Sequence, residues 1–204
     1  MKIITISREF GSGGRELGRR LAESLGFAYY DDEILVAIAK RTGLAESYVS
    51  SIVEKTPFDP YPISYGKTFS FTSAPMDNHW KIIQSQNDVL KELAQKSDCV
   101  FVGRCADVIL AQQDPLNIFV YADMDSKVAR CKVNAPEHEN LSDKELVKKI
   151  KDTEKQRVKY YMAFTDQKWG AKENYHLCVN TSGKTIKNLI PAVAAYCNAW
   201  FEMR

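Results

Sequence analysis

The stretch Phe10-Gly11-Ser12-Gly13-Gly14-Arg15-Glu16-Leu17 constrains this chain more than any other. It follows the apolar run Ile3-Ile4-Thr5-Ile6 and opens a segment in which Leu17, Leu21 and Leu25 recur every four residues. That is the pattern of strand, glycine loop and helix. Glycine tolerates positive φ and has no Cβ, so such a loop can turn several backbone N–H groups toward one point. The helix N-terminus behind it adds unpaired N–H groups and a partial positive charge. The stretch therefore serves either as an anion cradle or as no more than a tight turn between strand and helix. The usual phosphate-loop spacing, G-x-x-x-x-G-K-[ST], is not met. Arg8 stands at the first glycine position, Gly14 at the lysine position, and Arg15 or Glu16 at the hydroxyl position.

The rest of the chain alternates strand and helix patterns. The first helix, over about 14–25, ends at Gly26, a fitting residue to leave a helix. A short second strand, Phe27-Ala28-Tyr29-Tyr30, runs into Asp31-Asp32-Glu33. Those carboxylates either cap the following helix or face a ligand at the carboxyl end of the sheet. Residues 43–78 hold a short helix near 45–54, then Pro57, Pro60, Pro62 and Pro75 interleaved with aromatics. Proline at that density predicts an irregular loop or small flap, tucked on the surface or binding an acceptor. A long helix is expected at 78–96, with Trp80, Ile83, Asn87, Leu90 and Ala94 on its core face. Cys99 to Gly103 is a third strand, followed at once by Arg104, and Asn117 to Tyr121 is a fourth. Asp123 or Asp125 caps the next helix, and Ser142-Asp143-Lys144-Glu145 is a capping box. The helix it opens is rich in lysine, either a solvated face or a cationic wall over phosphates. Tyr175 to Val179 is a fifth strand, and a final amphipathic helix begins after Thr185. Such alternation predicts an α/β fold of three layers, a five-stranded parallel sheet with helices on both faces.

Composition excludes several classes. A length of 204 residues suits a single domain, and a net charge of +2 gives no reason to expect nucleic acid. No apolar run is long enough for a membrane span, and the N-terminus enters a strand without a signal pattern. Five scattered cysteines predict buried, reduced thiols in a cytoplasmic protein. Neither they nor the three isolated histidines have metal-site spacing, so no protein-held metal is expected.

Ile3-Thr5-Ile6 with Gly11-Ser12-Gly13-Gly14, Tyr30-Asp31, Gly103-Arg104, and Tyr175 through Thr181-Ser182-Gly183 resemble the cytidylate kinase-like branch of the P-loop nucleoside monophosphate kinases. The resemblance spans nearly the whole chain and implies a P-loop NTPase fold. It implies an acceptor-binding insert at about 43–78 and a lid at about 132–160. It further implies phosphoryl transfer from ATP with Mg2+ to a nucleoside monophosphate or similar small phosphorylated acceptor. Donor phosphates would lie on the N–H groups of Gly11, Ser12, Gly13, Gly14, Arg15 and Glu16. Asp31 and Arg104 would serve the acceptor; Arg130 and Arg157 would neutralise charge as the lid closes. In true cytidylate kinases the loop reads like G-P-S-G-A-G-K-G-T, so Gly14 falls on the lysine and Glu16 on the threonine. Arg8 or Arg15 is a candidate replacement for that lysine, unless both pair with Glu9 and Glu16. Glu16 would repel phosphate unless magnesium intervenes or Arg19 or Arg20 neutralises it. A non-catalytic nucleotide-binding module on the same fold is the alternative.

Overall fold

The computed structural model describes residues 1–54, 74–135 and 141–203. Five strands form one parallel sheet: β1 (Ile3–Arg8), β2 (Ala28–Tyr30), β3 (Cys99–Val102), β4 (Leu116–Tyr121) and β5 (Leu177–Asn180), in the order β2-β3-β1-β4-β5. The helices are α1 (Gly14–Leu25), α2 (Asp32–Thr42), α3 (Glu46–Glu54), α4 (Ala74–Ala94), α5 (Ala106–Ile109), α6 (Met124–Val133), α7 (Asp143–Phe164) and α8 (Ile186–Glu202).

The central strand shows why helices cover both faces. Ile3 and Ile4 are adjacent, so they point to opposite sides. Ile3 joins a core with Phe101, Ile34, Ile38, Val49, Ile82 and Leu90, beneath α2, α3 and α4. Ile4 and Ile6 join the other core with Leu17, Leu21, Ile118, Ile186 and Val193, beneath α1 and α8. Parallel pairing of β1 with β3 and β4 brings Arg8, Gly103 and Tyr121 to one edge, where the loops gather.

Local signals set most element ends. Gly26 leaves α1 at φ 69°. Asp123 caps α6 by accepting from the Ser126 N–H at 2.7 Å. Ser142 and Glu145 make the reciprocal capping box of α7. Three expectations need correction. Leu90 and Ala94 of α4 are buried as expected, but Trp80 is 57% exposed and Ile83 and Asn87 are only partly buried; Ile82, Ser85, Gln86 and Val89 complete the buried face, which meets α2 and α7. Helix α4 starts at Ala74, earlier than expected, since Pro75 in a first helical turn forfeits no intrahelical bond. Cys178 is exposed because β5 is an edge strand; Cys99, Cys105 and Cys197 are buried, and all five cysteines are free thiols. The proline-rich part of the expected insert, 55–73, lies outside the described residues.

Candidate active site

A cleft of about 1530 Å³ opens at the carboxyl edge of the sheet, lined by the glycine loop, Asp31, Arg104, Arg130 and Arg157. At its floor α1 begins at Gly14, with Gly13 in the left-handed region at φ 80°. A Cβ on Gly13 would lie 2.6 Å from Ile186 Cδ1, so the loop lies flat against α8. The first-turn N–H groups of α1 have no intrahelical acceptor and face the cleft as an anion site. The loop is braced from within: Ser12 Oγ donates to the Glu9 carbonyl at 2.9 Å, and the buried Thr181 hydroxyl donates to the Ser12 carbonyl at 2.7 Å.

Arg8 departs most from the ordinary phosphate loop. Its stem lies where a side chain at residue 14 would begin. A Cβ on Gly14 would be 2.5 Å from Arg8 Cβ and 2.9 Å from Cγ. Its guanidinium rests on Gly103, where a Cβ would meet Nη1 at 1.8 Å. A side chain at residue 14 and the Arg8 stem would thus compete for the same space. No carboxylate among the described residues lies within ion-pair distance of Arg8. Burial, with Arg157, Arg104 and Arg15 nearby and Asp31 only partly offsetting them, lowers its pKa to about 9. Among the described residues the charges around this cation are mostly of its own sign, which favours an anion beside it.

The other charged groups of the loop are engaged. Arg15 Nε meets the buried Asp31 Oδ2 at 2.5 Å, and its Nη2 meets Asp32 at 3.2 Å. Glu16 pairs with Arg20 at 2.7 Å, which neutralises the carboxylate at the hydroxyl position. Glu9 accepts from Lys127 Nζ at 2.6 Å, and the same ammonium meets Glu154 of α7 at 2.8 Å. Thus neither arginine pairs with Glu9 or Glu16, and of the two only Arg8 lacks a carboxylate partner among the described residues.

Asp31 stands where α2 begins but makes no side-chain cap. Tyr29 donates to its Oδ2 at 3.2 Å, while buried Oδ1 has no hydrogen-bond partner among the described residues. Arg104 lies in a turn where residues 103, 104 and 105 have φ of 75°, 58° and 52°. Arg157 reaches from α7, donates to the Arg8 carbonyl at 2.8 Å and lies 5.6 Å from the Phe10 ring centroid. Arg130 donates to the carbonyls of Gly11, Thr181 and Lys184, so it ties α6 to the loop and to the turn after β5. The cleft thus gathers Arg8, Arg15, Arg104, Arg130 and Arg157; Arg15 is paired with carboxylates, while Arg130 and Arg157 donate to backbone carbonyls. The brace by Thr181 and the buried Lys127 had no counterpart in the sequence reading. Among the described residues no three His, Cys, Asp or Glu side chains come together to hold a metal.

The sheet order, the glycine loop after β1 and the cationic cleft define a P-loop kinase-like fold. Residues 3–183 match the cytidylate kinase-like family, and the chain belongs to it. Among solved structures it is similar to an uncharacterized protein from Eubacterium ventriosum ATCC 27560, with 24% identity, a TM-score of 0.69, and coverage of 97% of this chain and 99% of that one. It is also similar to shikimate kinase from Bacteroides thetaiotaomicron (13% identity, TM-score 0.57, 97% and 98% covered). A shikimate kinase from Acinetobacter baumannii in complex with shikimate is a further likeness (17% identity, TM-score 0.53, 98% and 94% covered). These likenesses concern the fold. No curated protein matches the chain in sequence. No helix among the described residues is long and apolar enough to cross a membrane.

Proposed function

We propose that the protein transfers a phosphoryl group from ATP to a nucleoside monophosphate or a similar small phosphorylated acceptor. The observation that carries this reading is Arg8: a cation without a carboxylate partner among the described residues, beside the N-terminus of α1 and flanked by Arg104 and Arg157. Phosphoryl transfer asks for positioning and charge neutralisation more than covalent chemistry. A relocated guanidinium can supply what the usual lysine supplies.

In this proposal the donor phosphates lie on the N–H groups of residues 11–16, with Arg8 toward the transferred group. Arg157 joins Arg8 there, and Arg104 holds the acceptor phosphate. Asp31 Oδ1 accepts a hydrogen bond from an O–H or N–H of the acceptor; the guanidinium of Arg15 on its other oxygen disfavours a second cation. Arg130 positions the loop and not the substrate. Glu9, Glu16, Asp31 and Asp32 of the cleft are paired with cations and Glu33 accepts from the Asp31 N–H, so magnesium would be carried by the nucleotide phosphates and water. The acceptor insert belongs to about 43–78, and the lid includes the N-terminal part of α7.

Incubation with ATP, magnesium and CMP, dCMP, UMP, AMP or GMP, followed by anion-exchange separation, tests the reading. A diphosphate from one acceptor, abolished in Arg8→Met, supports it. No product from any of them, with ATP still bound in calorimetry, favours a nucleotide-binding module; Gly14 and Glu16 at the lysine and threonine positions are the observation behind that second reading.

A further inference from the structure

Two of the three residues in the Arg104 turn pay for a left-handed backbone without being glycine. Arg104 and Cys105, at φ 58° and 52°, are two of only three such residues among those described. Each costs of order 1 kcal/mol or more unless neighbours hold it. The hold on Arg104 comes from α4. Gln86, fully buried, donates from Nε2 to the Arg104 carbonyl at 3.1 Å. Its Oε1 accepts from the Tyr160 hydroxyl at 3.2 Å. Tyr160 lies on α7 three residues after Arg157, so the two lie on neighbouring positions of one helical face. The next residue, Tyr161, donates to Asp107 Oδ2 at 3.0 Å, on the far side of the same turn. Both phenols and Gln86 are buried, and burial pushes both phenols' pKa values up, so they remain donors at neutral pH.

We infer that Gln86 and Tyr160 are positioning residues for phosphoryl transfer: they fix the backbone that aims Arg104 and lock it to the helix that carries Arg157. The inference rests on the kinase reading only for its kinetic consequence. A buried amide is costly when left unbonded, and with both ends bonded it rigidifies and specifies the packing that it joins. Here the bonds specify the relation between the acceptor arginine and the lid-helix arginine. Gln86 does not line the cleft, and Tyr160, which does, gives its hydroxyl to Gln86, so both act through the Arg104 carbonyl.

The test uses Gln86→Leu, close in volume but without the bonds, and Tyr160→Phe, which removes one oxygen. Hydrogen exchange should rise in peptides spanning 100–108 and stay at the wild-type level in β4 (Leu116–Tyr121). In the transfer assay acceptor KM should rise about tenfold, with donor KM within about twofold. Added to Arg104→Ala, Gln86→Leu should raise acceptor KM no further, because its effect passes through that arginine. Uniformly faster exchange across the sheet, or full additivity with Arg104→Ala, would make Gln86 merely a core residue and overturn the inference. If wild-type protein transfers phosphate to no acceptor, the kinase reading falls, and exchange at 100–108 alone decides whether Gln86 holds the turn.

Discussion

Restoring the ordinary loop lysine by Gly14→Lys should fail on its own and succeed only when Arg8 is removed with it. The new Cβ would lie 2.5 Å from Arg8 Cβ, 2.9 Å from Arg8 Cγ and 3.3 Å from Val120 Cβ. Overpacking of that kind costs about 1–3 kcal/mol. For a chain of this length that is a fall in Tm of roughly 2–12 °C. Under the proposed reading ATP should raise the Tm of the wild type, and Arg8→Gly alone, which removes the cation, should abolish that rise. The double variant Arg8→Gly/Gly14→Lys clears the stem and supplies a new ammonium, so it should be more stable than Gly14→Lys and regain the ATP-dependent rise. Arg8→Ala/Gly14→Lys is the control: its Cβ keeps the closest contact, so little is regained. Scanning calorimetry with and without ATP and magnesium reads the wild type and all four variants. If Gly14→Lys melts with the wild type, or if the two changes add without coupling, the exchange of positions argued here is wrong.

Arg104→Ala should raise acceptor KM by about tenfold or more while leaving donor KM near wild type, measured by varying each substrate in turn. Arg8→Met keeps the stem and removes the charge, and it should stabilise the ligand-free protein by about 1 kcal/mol at pH 7, after discounting for solvent in the open cleft. The sign with pH follows from the lowered pKa: above about 9 folded Arg8 begins to lose its proton while the unfolded chain keeps it, so the penalty fades. The advantage of Arg8→Met in denaturant melts should therefore shrink from pH 7 to pH 11. Lys127→Met leaves Glu9 and Glu154 facing each other without their cation and should cost about 3–5 kcal/mol, read as a lower denaturant midpoint; an unchanged midpoint would mean the triad contributes nothing.

The fold was legible because its signals are local. Ile3-Ile4 on a doubly covered strand, Gly26 after α1, Asp123 before α6 and the Ser142–Glu145 box each act within a few residues. The candidate site was legible where a residue follows a strand end, as Arg8, Asp31 and Arg104 do. What escaped depends on distant partners. Lys127 looks like any lysine on a basic helix until Glu9, far away in sequence, and Glu154 on another helix are brought to it. Gln86 meets Tyr160 across 74 residues, and no periodicity announces that pair. Trp80 fits the core stripe by spacing yet faces outward, because the partners of α4 select a neighbouring stripe. The substitution of Gly14 was plain in the sequence, but its cause was not: only the path of the Arg8 stem explains why that position is bare.

The Glu9–Lys127–Glu154 triad also bears on how the cleft can shut. Helix α7 is fastened at Glu154 by this triad and again at Tyr160 and Tyr161 by their phenols. Five residues lie between Glu154 and Tyr160, Arg157 among them, so the fastenings are about 9 Å apart along the helix. A rod pinned at two points cannot swing as a whole. Any hinge must lie before Glu154, and because Leu146 and Ile150 pack on Val128 and Asp143 pairs with Lys132, the stretch from Asp143, about 16 Å long, would have to move together with α6. Under the proposed reading, closure would bring Lys149, the lysine of this stretch that lines the cleft, toward the donor phosphates, while Arg157 is already in place as the fixed jaw.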